Sequence, residues 1–186
     1  MSSIQINGDT SGSVILQAPS IAGSTTLTLP STSGTIVTTN TIPAGQVIQV
    51  VNATYATQGS TSSSTYADSG LTASITPSSS SNKILVLVNM TGMVKMTTDT
   101  YGQLRLLRGS TSIVVFETAM GYTGNTSSSG PGGTGCSYLD SPATTSSTTY
   151  KVQIASQNNT GIIYWCNSAS GFGNATSTIT LMEIKA

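Results

Sequence analysis

Few side chains in this sequence can move a proton or carry a charge, and none of them is histidine. Acid–base chemistry near neutral pH draws on histidine or on a carboxylate with a tuned pKa. Without histidine, neither a Ser-His-Asp nor a Cys-His arrangement can be assembled, so abundant serine does not signal a nucleophile. Glycoside cleavage needs two carboxylates flanking the bond. The acids are Asp9, Asp68, Asp99, Glu117, Asp140 and Glu183. Asp9 follows Asn7-Gly8, Asp68 precedes Ser69-Gly70, and Asp140 opens Asp-Ser-Pro. Each reads as a turn whose carboxylate accepts backbone hydrogen bonds. Glu117 and Glu183 fall in expected strands and read as salt-bridge partners. No catalytic residue is expected.

Cofactor and metal chemistry fare the same way. Cys136 and Cys166 lack metal-site spacing, and there is no histidine to complete a zinc set. They read as two small buried thiols on neighbouring strands, with a disulfide between them as the alternative. GPGGTG at 130–135 is glycine-rich, but no lysine follows and no helix is expected, so it lacks the parts of a phosphate loop and reads as a flexible loop. Neither a cofactor nor a metal is expected. Six basic and six acidic residues leave no net charge, and only Arg105 and Arg108 are close together. Nucleic-acid binding needs clustered cations to replace counterions and is not expected. No apolar run approaches the ~20 residues of a membrane span. MSSIQINGDT has neither the basic nor the apolar region of a signal peptide.

What remains is contact chemistry. Tyr164 and Trp165 are adjacent, and neighbours on a strand face opposite sides, so both cannot be core. One of them faces solvent or another subunit. Core or subunit packing is the plain reading of Trp165, and stacking on a host-surface glycan or receptor is the sharper one. Tyr122 at the root of segment 121–135, with Asn125 inside it, forms a second candidate contact.

These side chains must be held by strands. Charged residues make up 6% of the chain, against roughly 25% in an ordinary soluble domain. Serine and threonine take their place; threonine suits a pleated strand, and serine and glycine suit turns. Recurrent β-branched and aliphatic runs, with 37% hydrophobic residues, argue against a disordered chain. Residues 1–44 carry an eleven-residue repeat: Gly12, Gly23 and Gly34 recur in step, as do Leu16 with Leu27 and Pro19 with Pro30. Each unit reads as a short strand, such as SVILQ or TTLTL, closed by a Pro/Gly turn. Such units need neighbours to bury their apolar faces. Association of three chains through Leu16 and Leu27 satisfies this by closed symmetry, and packing on the chain's own second domain is the alternative.

After a linker-like break at Ile42-Pro43-Ala44-Gly45, the spacing predicts strands near 46–56, 70–76, 83–95, 102–109, 112–120, 135–140, 148–156, 160–167 and 176–185. The fold class is all-β: an antiparallel β-sandwich or jelly roll over 45–186, preceded by a short-strand trimerisation or anchor segment. In 83–95, Ile84, Val86, Val88, Met90 and Val94 share one face; Leu85, Leu87 and Met93 share the other, a candidate subunit interface. The longest soft segments are 57–69 and 121–135.

The stretches IQVV at 48–51, SITPSSSSNKILVLVN at 74–89, LRLLRGST at 104–111, SYLDSPATTSSTTYKVQ at 137–153 and STITLMEI at 177–184 give most of residues 46–186 a resemblance. They resemble the C-terminal domain of tail-fibre-like and other virion structural proteins of phages, including cyanophages and marine phages. NGDTSGSVILQAPSIAGSTTLTLPSTSGTIV at 7–37 resembles a module of the same proteins, which there lies between a virion-attachment region and the distal domains. Here it starts almost at Met1, so a long upstream shaft is not expected. The resemblance implies a β-rich homotrimer without a catalytic motif, assembled in the host cytoplasm and displayed on the virion surface beside other virion proteins. Two roles are expected: a short fibre or knob that contacts a receptor, and a capsid-decorating cement protein.

Overall fold

The computed structural model describes residues 3–7, 9–17, 26, 31, 42–158, 161–166 and 175–186. They form twelve strands, with no helix among the described residues. The chain divides into two compact units, Met1–Thr38 and Thr39–Ala186. The second starts before the expected 44/45 break. Gly45 donates to the Lys185 carbonyl and Lys185 to that of Gln46, so this stretch already belongs to the sandwich ladder.

The first unit contains an antiparallel hairpin, β1 (Ser3–Asn7) and β2 (Ser13–Gln17). β2 is the SVILQ strand read from the repeat, whereas β1 was not anticipated. The register sets Ile4 opposite Leu16 and Ile6 opposite Val14, and Gly12 supplies the positive φ of the turn. Of TTLTL only Thr26 is among the described residues, and it is in no strand; Leu27 lies outside them, as does the side chain of Leu16.

The second unit is a sandwich of two antiparallel sheets. One has the order β5 (Ala67–Ile75), β10 (Thr148–Gln157), β7 (Tyr101–Arg108), β8 (Thr111–Met120). The other is built on β6 (Lys83–Lys95), the longest strand. One edge of β6 pairs first with β12 (Ser177–Ile184) and then with β11 (Ile163–Trp165); β9 (Ser129–Asp140) takes the opposite edge. β3 (Val47–Tyr55) flanks β12, and β4 (Gly59–Thr61) flanks β11. Alternation of side chains makes the core: Ile84, Val86, Val88 and Met90 of β6 and Ile179 and Leu181 of β12 form one wall. Leu104, Leu106, Val152, Ile154 and Leu71 form the other.

Two sequence expectations fail here, the first through a local change of register. Up to Met90, the even positions of β6 point inward. Gly92 then adopts φ +61°, and the pairing with β9 shifts between Thr91 and Met93. A bulge of this kind moves the following side chains to the other face. Met93 and Lys95 are therefore fully buried, while Val94 is half-buried. Met93 fills the core of its own chain and is removed from the expected subunit interface; Leu85 and Leu87 remain on the outer face. The second failure is GPGGTG, which is part of β9 and not a loop. A Cβ on Gly133 would stand 2.7 Å from the Met90 carbonyl oxygen, so the absence of side chains there permits the close approach of the two strands. Pro131 is tolerated because β9 lies at an edge of its sheet. The soft segment 57–69 likewise holds β4 and the start of β5.

Candidate functional site

Three polar constellations arise from this frame. The first joins the two sheets at one end. Asp140, the last residue of β9, accepts from Arg108 Nη1 at 2.9 Å to both carboxylate oxygens and from the Tyr150 hydroxyl at 2.6 Å. Arg108 is on β7 and Tyr150 on β10, so the carboxylate ties one sheet to the other. Burial, and then the hydrogen bond to Asp140, raise the Tyr150 pKa. Asp140 is thus not the turn carboxylate the Asp-Ser-Pro stretch suggested. Strand pairing of β9 with β6 carries it to the sheet end, where side chains from the other sheet meet it.

The second constellation is an open cleft of about 650 Å³. Gln49, Thr76, Ser78, Asn82, Glu183 and Lys185 contribute to its lining. Glu183 is the one carboxylate side chain there and is 1% exposed. Its Oε1 accepts from Ser78 N at 2.7 Å, Ser78 Oγ at 2.8 Å and Asn82 Nδ2 at 2.7 Å. With the Gln49 amide turned to satisfy its neighbours, that side chain donates to Oε2 at 3.2 Å. Burial pushes the Glu183 pKa up, but the hydrogen bonds from Asn82 and Ser78 outweigh it and hold the carboxyl below its ordinary value. The expected salt bridge of Glu183 is therefore replaced by neutral donors. Glu117 also has none among the described residues; it accepts from Thr118 N, Ala119 N and Thr134 Oγ1. With three donors on one oxygen, this carboxylate fastens the 76–82 turn onto β12.

The depressed Glu183 pKa has a consequence for acid stability. A carboxyl with a lowered folded-state pKa stabilises the fold above its unfolded value of about 4.3, and that contribution is lost as pH falls through the folded value. Asp68, bonded to Lys151 and Gln153, is lowered too and acts with the same sign. Glu183→Gln is expected to lower the melting temperature at pH 7 and to flatten its decline between about pH 5 and pH 2 relative to the parent chain. Parallel melting-temperature curves for the two proteins over that range would contradict it.

The third constellation holds the contact candidates. Tyr122 is 50% exposed, and its hydroxyl donates to Asp99 Oδ1 at 3.1 Å. Its ring meets Tyr101 edge-on, with centroids 5.8 Å apart. The loop 121–128 is held from both sides: Asp99 N donates to the Gly124 carbonyl at 2.8 Å, and the buried Lys95 donates through Nζ to that of Thr123 at 2.7 Å. Asn125 is exposed on the same loop. Tyr164 is half-buried on β11, opposite Val94 and Ser60. Trp165 is only 5% exposed, packs in the core and donates through Nε1 to the Ser69 carbonyl at 2.8 Å. Glycan contact by Trp165 is thereby corrected: between Tyr164 and Trp165, the tryptophan is the inward one. Its indole also occupies the place that a side chain at Gly59 would need. The two cysteines are free and lie on opposite flanks of β6, so they are not on adjacent strands. Burial pushes the Cys136 thiol up to about 11.

Among the described residues, no group of three or more His, Cys, Asp or Glu side chains is placed to hold a metal ion. No helix of the described residues is long and apolar enough to cross a membrane. Fold and surface together define a charge-poor antiparallel sandwich with a separate N-terminal hairpin. Neither a family model nor a curated protein matches the chain.

Proposed function

We propose that this protein is a non-enzymatic structural component of a bacteriophage particle, a homotrimeric projection such as a short fibre or knob. The observation that carries the reading is the hairpin of the first unit. Ile4 and Ile6 are 65% and 58% exposed, and Ile15 is 55% exposed. A two-stranded hairpin is marginal in water by itself, and each isoleucine gains roughly 1.5–3 kcal/mol when fully buried. Copies of the same hairpin on other chains supply that cover, and closed three-fold symmetry uses every face. The resemblance to phage virion proteins points the same way. Tyr122, Asn125 and Tyr164 are the residues offered to a host-surface glycan or receptor.

Sedimentation of the full chain should give three times the 18.9 kDa of one copy. Ile4→Lys combined with Ile6→Lys should reduce it to one copy while the sandwich stays folded. A monomeric parent chain at micromolar concentration, with β1 and β2 amides protected from exchange, would end the trimer reading. Labelling the C-terminus on intact particles separates the two roles: label on the tail supports a fibre, and label over the shell supports decoration of the capsid.

A further inference from the structure

Lys95 ends β6 and is fully buried. Odd-numbered positions of β6 point outward up to the Gly92 bulge, and the bulge turns this one into the sandwich. Its Nζ donates to the Thr123 carbonyl at 2.7 Å. Among the described residues that carbonyl is its one acceptor, and no carboxylate pairs with it. A buried ammonium with a single neutral partner is costly, and an apolar side chain of like length would serve the core as well or better. The core is therefore not what the charge serves. What it holds is the loop that carries Tyr122 and Asn125. Gly121, at the root of that loop, adopts φ +71°, and a Cβ there would stand 3.5 Å from Lys95 Cγ, so the loop also rests on the lysine stem. The other ties of the loop lead to exposed residues: Asp99 N donates to the Gly124 carbonyl, the Tyr122 hydroxyl to Asp99 Oδ1, and Ser128 Oγ to Met96 Sδ at 3.7 Å. Water competes for each of these, whereas the Lys95 bond is charge-assisted and starts from a buried donor.

We propose that Lys95 is a positioning residue for the contact loop, a role that rests on the receptor reading of Tyr122 and Asn125. The ammonium draws the Thr123 carbonyl toward the core, and fixing that carbonyl fixes the peptide next to Tyr122. The Tyr122 ring is then held edge-on to Tyr101 before any ligand arrives. A loop ordered in advance loses less of its contact free energy to ordering at binding. The sandwich gives up some stability by burying the charge and gains a loop of defined shape, the kind of exchange seen where stability and function pull apart.

The test uses the full-length chain. Lys95→Met removes the ammonium and keeps an apolar stem. Backbone amide exchange reads the loop, and melting at matched protein concentration reads the sandwich. The Asp99 and Tyr122 amides donate to the Gly124 and Ala119 carbonyls. In the variant they are expected to exchange at least about tenfold faster than in the parent, the scale of one lost charge-assisted bond. Amides of β12 should be no faster, and the melting temperature should be equal or higher. Unchanged exchange at Asp99 and Tyr122 overturns the proposal. So does a variant that unfolds or melts lower, since the charge would then serve the sandwich itself. Host-cell binding by the purified chain is the second arm, with Tyr122→Ala beside Lys95→Met, and both are expected to weaken it. If Tyr122→Ala weakens binding and Lys95→Met, with its loop loosened, does not, the positioning role is overturned. If neither weakens binding although the loop loosens, the receptor reading falls and the hold of Lys95 on the loop stands.

Discussion

Replacing Asp140 by alanine is expected to destabilise the sandwich by about 3 kcal/mol. Breaking a buried ion pair by removing one partner costs about 3–5 kcal/mol, because the other partner is left buried and uncompensated. Asp140 is 7% exposed in its side chain, but Arg108 is 32% exposed and regains water, which puts the cost at the low end. Much of the loss comes from Tyr150, which is fully buried and whose hydroxyl loses its acceptor at 2.6 Å. Asp140→Asn keeps an acceptor and should cost about half as much. Tyr150→Phe removes donor and need together and should cost about 1 kcal/mol. Denaturant unfolding at one fixed protein concentration measures all three, since association shifts apparent stability. A loss below 1 kcal/mol for Asp140→Ala would show that the sheets are not joined through this carboxylate.

Trp165→Ala is expected to cost about 3–5 kcal/mol, the range for deleting a large aromatic from a core. The indole is held by its bond to the Ser69 carbonyl, and that carbonyl is presented by a bulge in β5. Between Asp68 and Thr72 the register with β10 slips, and Gly70 adopts φ +90° with its missing Cβ against the Tyr55 ring. Trp165→Phe keeps most of the volume but strands the Ser69 carbonyl, and should cost about 1–3 kcal/mol. On the proposed receptor role, any loss of host-cell binding by Trp165→Ala should follow its unfolded fraction, whereas Tyr122→Ala should weaken binding by more than the loss of its Asp99 bond and Tyr101 contact costs in stability. A Trp165→Ala chain as stable as its parent would place the indole outside the core.

The surface candidates were only half legible. Alternation showed that Tyr164 and Trp165 oppose each other, but not which of them points inward. That depends on β11 pairing with β6 beyond the Gly92 bulge, where inside and outside have exchanged. The same exchange misassigned Met93 and Val94 while leaving Ile84 through Met90 correct. Asp140 and Glu183 were misread because their partners are remote in sequence: Arg108 lies 32 residues from Asp140, and Asn82 lies 101 from Glu183. One available signal was missed: Gly133 and Gly135 alternate beside an edge-tolerated Pro131, the pattern of a strand pressed against another backbone.

By itself the sequence determined the all-β class, most strand positions and the core face of the first half of β6. These follow from β-branched runs and a period of two, properties of each segment that require no knowledge of its partner. The tertiary structure alone decided the bulges, the pairing of the glycine-rich β9 and the sheet-joining role of Asp140. Register and hydrogen-bond satisfaction are properties of two strands brought together, and no single stretch of chain contains them.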